Sequence, residues 1–171
     1  MAWVDWSGFG PLPSPPKDIM NWLAPNITNT NISPATITFS SSNPDAVASG
    51  SSTATVQWRI RSSSLGQPWT LQISADTSTL TSCGTVPASA VRATCNSVSI
   101  TGNNPGTGAC GGAVALSTAP QTIASGAQGS GAFNHNYTVI VSFTFTDQWI
   151  YKGAIAPTCS LGTTYTITAT P

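Results

Sequence analysis

The chain has 171 residues, a net charge of zero and only 6% charged residues: Lys17, Arg59, Arg61, Arg92 and Lys152 against five Asp, with no Glu. This excludes a basic nucleic-acid surface, an acidic tail and a basic amphipathic membrane helix. The 23 Ser and 25 Thr supply surface polarity instead, as suits an extracellular β protein that associates on purpose; an apolar fraction of 40% with recurrent periodicity argues against disorder. The length fits one domain with a real core. No stretch approaches the roughly 18 apolar residues of a membrane span, and Met1-Ala-Trp-Val-Asp5 lacks the charged and apolar regions of a signal peptide.

In chain order, residues 1–16 read as an arm and its spacer. Trp3, Val4, Trp6, Phe9 and Leu12 make the arm apolar, and Pro11-Leu-Pro-Ser-Pro-Pro16 favours a stiff polyproline II run of about 3.1 Å per residue. Residues 17–33 form a connecting segment carrying Trp22 and two N-x-S/T sequons, at Asn26 and Asn31; a third is at Asn136. These are candidate glycosylation sites. Residues 34–171 form the β body. Thr36–Ser40, Thr53–Arg61 and Trp69–Ala75 alternate with period two, with Ile37, Phe39, Ala54, Val56, Trp58, Ile60, Trp69, Leu71, Ile73 and Ala75 on the inner face. The second and third of these are expected to form an antiparallel hairpin. From 77 to 112 the pattern weakens to a short strand around Val98 and Ile100. Gly102–Gly108 reads as a loop, Ala113–Ser117 and Gln121–Ser125 as short apolar pieces, and Ser125–Gly131 as a flexible connection.

Tyr137–Tyr151 carries the strongest signal. Tyr137, Val139, Val141, Phe143 and Phe145 share one face and Thr138, Ile140, Ser142, Thr144 and Thr146 the other, so this is the expected central strand. Asp147 interrupts the apolar face and is expected to be solvated where the strand bends, while Trp149 is expected in the core. Thr163–Thr170 alternates again and is the expected antiparallel partner of 137–151. The fold class is all-β: an antiparallel β-sandwich, immunoglobulin-like or jelly-roll-like, of about seven to nine strands with an extended N-terminal arm.

Cys83, Cys95, Cys110 and Cys159 lack CxxC spacing, and one His cannot complete a zinc site with them. Two disulfides in an oxidising compartment are expected. Of three connectivities, Cys83–Cys95 as a local loop with Cys110–Cys159 as a long staple is the expectation. Catalysis finds no footing: His135 is expected to be an exposed loop residue, no GxSxG elbow exists, and the five Asp lie in separate segments. Calcium would need about six to eight oxygen ligands, and no phosphate-binding motif is present. The expectation is no enzyme, no metal and no cofactor.

The aromatic arm, the Pro-rich spacer and a Ser/Thr-rich body with paired cysteines together resemble donor-strand pilins and β-sandwich surface-fibre subunits. That resemblance implies an extracellular or cell-surface structural protein, a homopolymer whose arm is added to a neighbour's sheet, with Trp3, Val4, Trp6, Phe9, Leu12 and Trp22 at the subunit interface. The alternative is a monomeric adhesin or carbohydrate-binding module using tryptophan faces on surface glycans. Neither reading involves nucleic acid or membrane insertion.

Overall fold

The structure is a computed structural model that describes residues 26–39, 47–49, 53–61, 66–82, 86–129, 135–146 and 159–170. The arm, Trp22, Cys83, Asp147 and Trp149 lie outside the described residues. The strands are β1 (Asn26–Ser33), β2 (Thr36–Phe39), β3 (Val47–Ser49), β4 (Ala54–Arg61), β5 (Pro68–Ala75), β6 (Val91–Thr101), β7 (Gly106–Cys110), β8 (Val114–Ala115), β9 (Gln121–Gln128), β10 (His135–Thr146) and β11 (Cys159–Ala169). They form two antiparallel sheets. One, six-stranded, has the order β1-β4-β10-β6-β8, with β3 also paired to β10; the other, five-stranded, has the order β2-β11-β5-β9-β7. The total exceeds the expected seven to nine.

Both sheets turn their apolar faces onto one core. Trp58 of β4 and Tyr137 of β10 stack at 5.3 Å, and both meet Trp69 of β5 across the gap, at 5.5 and 5.4 Å. Phe39 of β2 meets Phe145 of β10 at 5.6 Å. Such aromatic pairs add roughly 0.5–1.5 kcal/mol each beyond their buried area. The inner positions expected on Thr36–Phe39, Ala54–Arg61 and Trp69–Ala75 are all buried. β10 is central as expected, flanked by β4 and β6, with Tyr137, Val139, Val141, Phe143 and Phe145 buried.

Several expectations are corrected. β4 and β5 do not form a hairpin: β4 pairs with β1 and β10, β5 with β11 and β9. β11 pairs with β2 and β5, not with β10. Alternation identifies the buried face of a strand and says nothing about its neighbours. Residues within the expected loop 102–108 and the expected flexible stretch 125–131 belong to β7 and β9. Residues 26–33 of the expected connecting segment are β1.

The strands missed or shortened in the sequence reading have a common cause. The β1–β4 register shifts between Asn29 and Asn31, so Ile27 opposite Ile60 and Ile32 opposite Val56 both pack against the core although five residues apart. In β6 the register against β10 shifts opposite Ile140/Val141, which brings Val91, Ala93 and Cys95 and then Val98 and Ile100 to the inner face. In β9 a shift opposite Leu71/Gln72 leaves both Ile123 and Ala124 buried. One inserted residue reverses the parity of everything beyond it.

The disulfide joins Cys95 to Cys110, so neither expected pairing holds. It links β6 of one sheet to β7 of the other, across a short connection containing Gly102, Asn104 and Gly106 at positive φ. Cys159 is also disulfide-bonded. Sequence spacing could not have distinguished these pairings, because the crossover between sheets brings Cys95 and Cys110 together. No helix among the described residues is long and apolar enough to cross a membrane.

Candidate functional site

The two lateral sides of this stack differ. On the β6–β7 side the Cys95–Cys110 bond ties the sheets together. A Cβ on Gly108 would lie 2.6 Å from Val98 Cγ1 and 2.8 Å from Trp69 Cζ2, so that inner position is already filled by neighbouring side chains. Trp69 Nε1 also donates to Thr107 O at 3.1 Å. β7 is therefore a short, Gly-containing edge with no vacant apolar position behind it, the kind of edge that resists addition of another strand.

Among the described residues, the opposite side is joined where the chain passes from β1 to β2 through Pro34. The Ser33–Pro34 bond is cis. From that junction β1 runs back to Asn26 and β11 runs forward to Ala169, in the same direction along the stack. The cross-sheet contacts fix the alignment: Asn29 pairs with Trp58, Trp58 meets Trp69, and Trp69 pairs with Ala169. Among the described residues, β1 and the second half of β11 thus border a groove that begins at Pro34 and runs toward Asn26 and Ala169.

Main-chain hydrogen bonds show which groups face this groove. Ser160 exchanges bonds with Thr81, Gly162 O accepts from Asp76 N, and Thr170 N donates to Pro68 O, so even-numbered residues of β11 point toward β5 and its continuation. Thr163 N donates to Ala35 O on the other side. Alternation then directs the N–H and C=O groups of Tyr165, Ile167 and Ala169 to the side on which β2 has ended, at Thr36 opposite Gly162. Among the described residues no strand pairs with them there. Their side chains are on the inner face and become progressively less covered: Leu161 is fully buried, Tyr165 is 8% exposed, and Ile167 and Ala169 are half-buried. Across the groove Ile27 and Ile32 are half-buried too. Burial pushes the Tyr165 hydroxyl up to about 12, with Thr163 partly offsetting it, and that hydroxyl has no hydrogen-bond partner of good geometry. A strand edge whose main-chain groups meet no described strand, beside half-buried apolar side chains, has the features that accept an extended segment.

The remaining expected sites are distributed as follows. His135 is a correction: it is fully buried, with Nε2 2.7 Å from Asn103 O, because β10 begins two residues earlier than the pattern indicated and carries the ring beneath the 102–106 connection. A sealed imidazole there cannot meet a substrate. Asn26 begins β1, Asn31 is exposed beside its bulge, and Asn136 is exposed with Oδ1 accepting from Arg59 Nε at 2.8 Å. Trp58 and Trp69 are core residues and present no face to a sugar. A depression lined by Pro68, Trp69, Thr70, Thr168, Ala169 and Thr170 contains no charged side chain. The open β11 edge itself went unrecognised in the sequence: Thr163–Thr170 reads correctly as a half-buried strand, but nothing in it signals that one side lacks a partner. The chain matches no protein-family model, no curated protein and no solved structure.

Proposed function

We propose that this protein is an extracellular structural subunit that self-assembles into a filament, each copy adding its N-terminal apolar arm to the sheet of the next. The observation supporting this reading is the edge at Tyr165, Ile167 and Ala169, which no strand among the described residues pairs with, and the half-buried apolar side chains beside it. Main-chain hydrogen bonds supply affinity, and the arm's Trp3, Val4, Trp6, Phe9 and Leu12 supply side chains to cover the apolar wall. A head-to-tail contact of this kind does not close on itself, so it propagates. The disulfides fit an oxidising location. Deleting residues 2–16 tests the reading: the full chain forms a high-mass species by light scattering and fibres by electron microscopy, and the deletion abolishes both. Persistence of the same species without the arm overturns it.

A further inference from the structure

We infer that the outer face of the six-stranded sheet carries a binding strip for an acidic polysaccharide, centred on Arg59 and Asn136. Arg59 is exposed, and its Nε donates to Asn136 Oδ1 on the neighbouring strand at 2.8 Å. That bond holds the guanidinium in place through one of its N–H groups. The Nη1/Nη2 end is left to take a carboxylate through two parallel hydrogen bonds. Asp76, the one carboxylate side chain among the described residues, lies beyond β5 in the other sheet, where its Oδ1 accepts from Thr164 Oγ1 at 2.7 Å. It is no partner for Arg59.

The cation belongs to a row that crosses four strands. Thr28 of β1 lies opposite Arg59 on one side and Asn136 of β10 on the other, and Thr101 of β6 lies opposite Asn136. All four residues are exposed. Neighbouring strands are about 4.8 Å apart, so the row is about 14 Å across. Asn136 keeps the two N–H groups of its amide as donors. In the adjacent row Gln57 Nε2 donates to Thr138 Oγ1 at 3.5 Å, which leaves the Gln57 side-chain oxygen as an acceptor.

The chemistry of the strip selects its partner. A nucleic-acid backbone or an anionic membrane takes a cluster of cations, and the chain has five in all. A protein interface is anchored by aromatic or other apolar side chains, and these two rows contain none. A polymer of uronic acids matches both parts of the strip: a carboxylate on each sugar for the Arg59 fork, and hydroxyl groups for the amides and threonine hydroxyls beside it. The strip includes no residue of the arm, so this proposal and the assembly reading fail separately.

The test uses the full chain produced without N-glycosylation, because a glycan on Asn136 would consume the same amide nitrogen. Surface plasmon resonance measures its binding to immobilised polygalacturonate, with neutral dextran and phosphatidylserine vesicles alongside. Binding to polygalacturonate and to neither of the others is expected, and sodium chloride should weaken it. Arg59→Gln should weaken it at least about tenfold, through loss of the charge-assisted pair of hydrogen bonds. Asn136→Asp should have the same effect, because the new carboxylate takes up the Arg59 charge. Arg92→Gln changes an exposed arginine opposite Thr144, near the other end of β10, and should leave binding unchanged. Circular dichroism checks that each variant is folded. The proposal is overturned by no binding to polygalacturonate, by equal binding to dextran or to the vesicles, by full binding of Arg59→Gln, or by an equal loss in Arg92→Gln.

Discussion

Tyr165 carries a hydroxyl into the apolar interior beside the open edge, and its ionisation gives a local reading of that environment. Burial holds the phenol neutral up to about pH 12 in the folded chain, whereas an unfolded tyrosine ionises near 10. The contribution is fully present below pH 10 and is lost as pH rises through about 12, because the unfolded state releases its proton first across that window. The loss amounts to about 3 kcal/mol. Tyr165→Phe should remove this part of the alkaline decline in urea-unfolding stability. At neutral pH it should leave stability unchanged or raise it by up to about 1–3 kcal/mol, because the hydroxyl deleted is buried with no hydrogen-bond partner of good geometry. Glycine positions offer a sharper steric contrast. A Cβ on Gly126 would collide with Thr107 O and lie 2.7 Å from Gly108 Cα, both backbone atoms of β7, whereas a Cβ on Gly112 meets nothing. Gly126→Ala should cost about 1–3 kcal/mol, and Gly112→Ala should stay within about 0.5 kcal/mol, both measured by urea unfolding.

Among the elements, the β6–β7 crossover has the most direct test. Cys95 and Cys110 are 15 residues apart, and closing a loop of that size contributes about 3 kcal/mol in the chain-entropy description. The double variant Cys95→Ala/Cys110→Ala should lose stability of that order by denaturant titration, with assembly preserved because the groove lies on the other lateral side. The same elements show what the sequence could carry. Alternation placed Trp58 and Trp69 inside correctly, but these residues meet ring to ring across the core at 5.5 Å rather than lying on paired strands. β10 was legible because its inner face continues unbroken from Tyr137 to Phe145. β1, the near half of β6 and β9 were obscured, because each bulge reverses the parity on which the reading depends. The side of β11 left without a partner among the described residues was less legible still: it depends on β2 ending opposite Gly162, which is a property of two strands distant in sequence.

At the scale of the whole molecule, the proposed assembly would make association and stability one equilibrium. With 6% charged residues and no net charge, long-range electrostatics contribute little, so raising the ionic strength with sodium chloride should leave assembly unchanged, while sulfate should strengthen it through apolar burial. The source of the arm has a thermodynamic signature as well. A segment that binds the folded subunit and not the unfolded one raises apparent stability by an amount set by its concentration. An arm from the same chain acts at a fixed effective concentration, so Tm would not depend on how much protein is present. An arm from a second chain is diluted with the protein. Tm of the full chain should therefore rise with protein concentration, whereas Tm of the chain lacking residues 2–16 should be lower and concentration-independent. Scanning calorimetry of both across a hundredfold dilution, at about 3 kcal/mol of mass-action difference between the extremes for one site, separates the alternatives. A full-chain Tm that stays constant on dilution would mean that the groove is filled from within one chain.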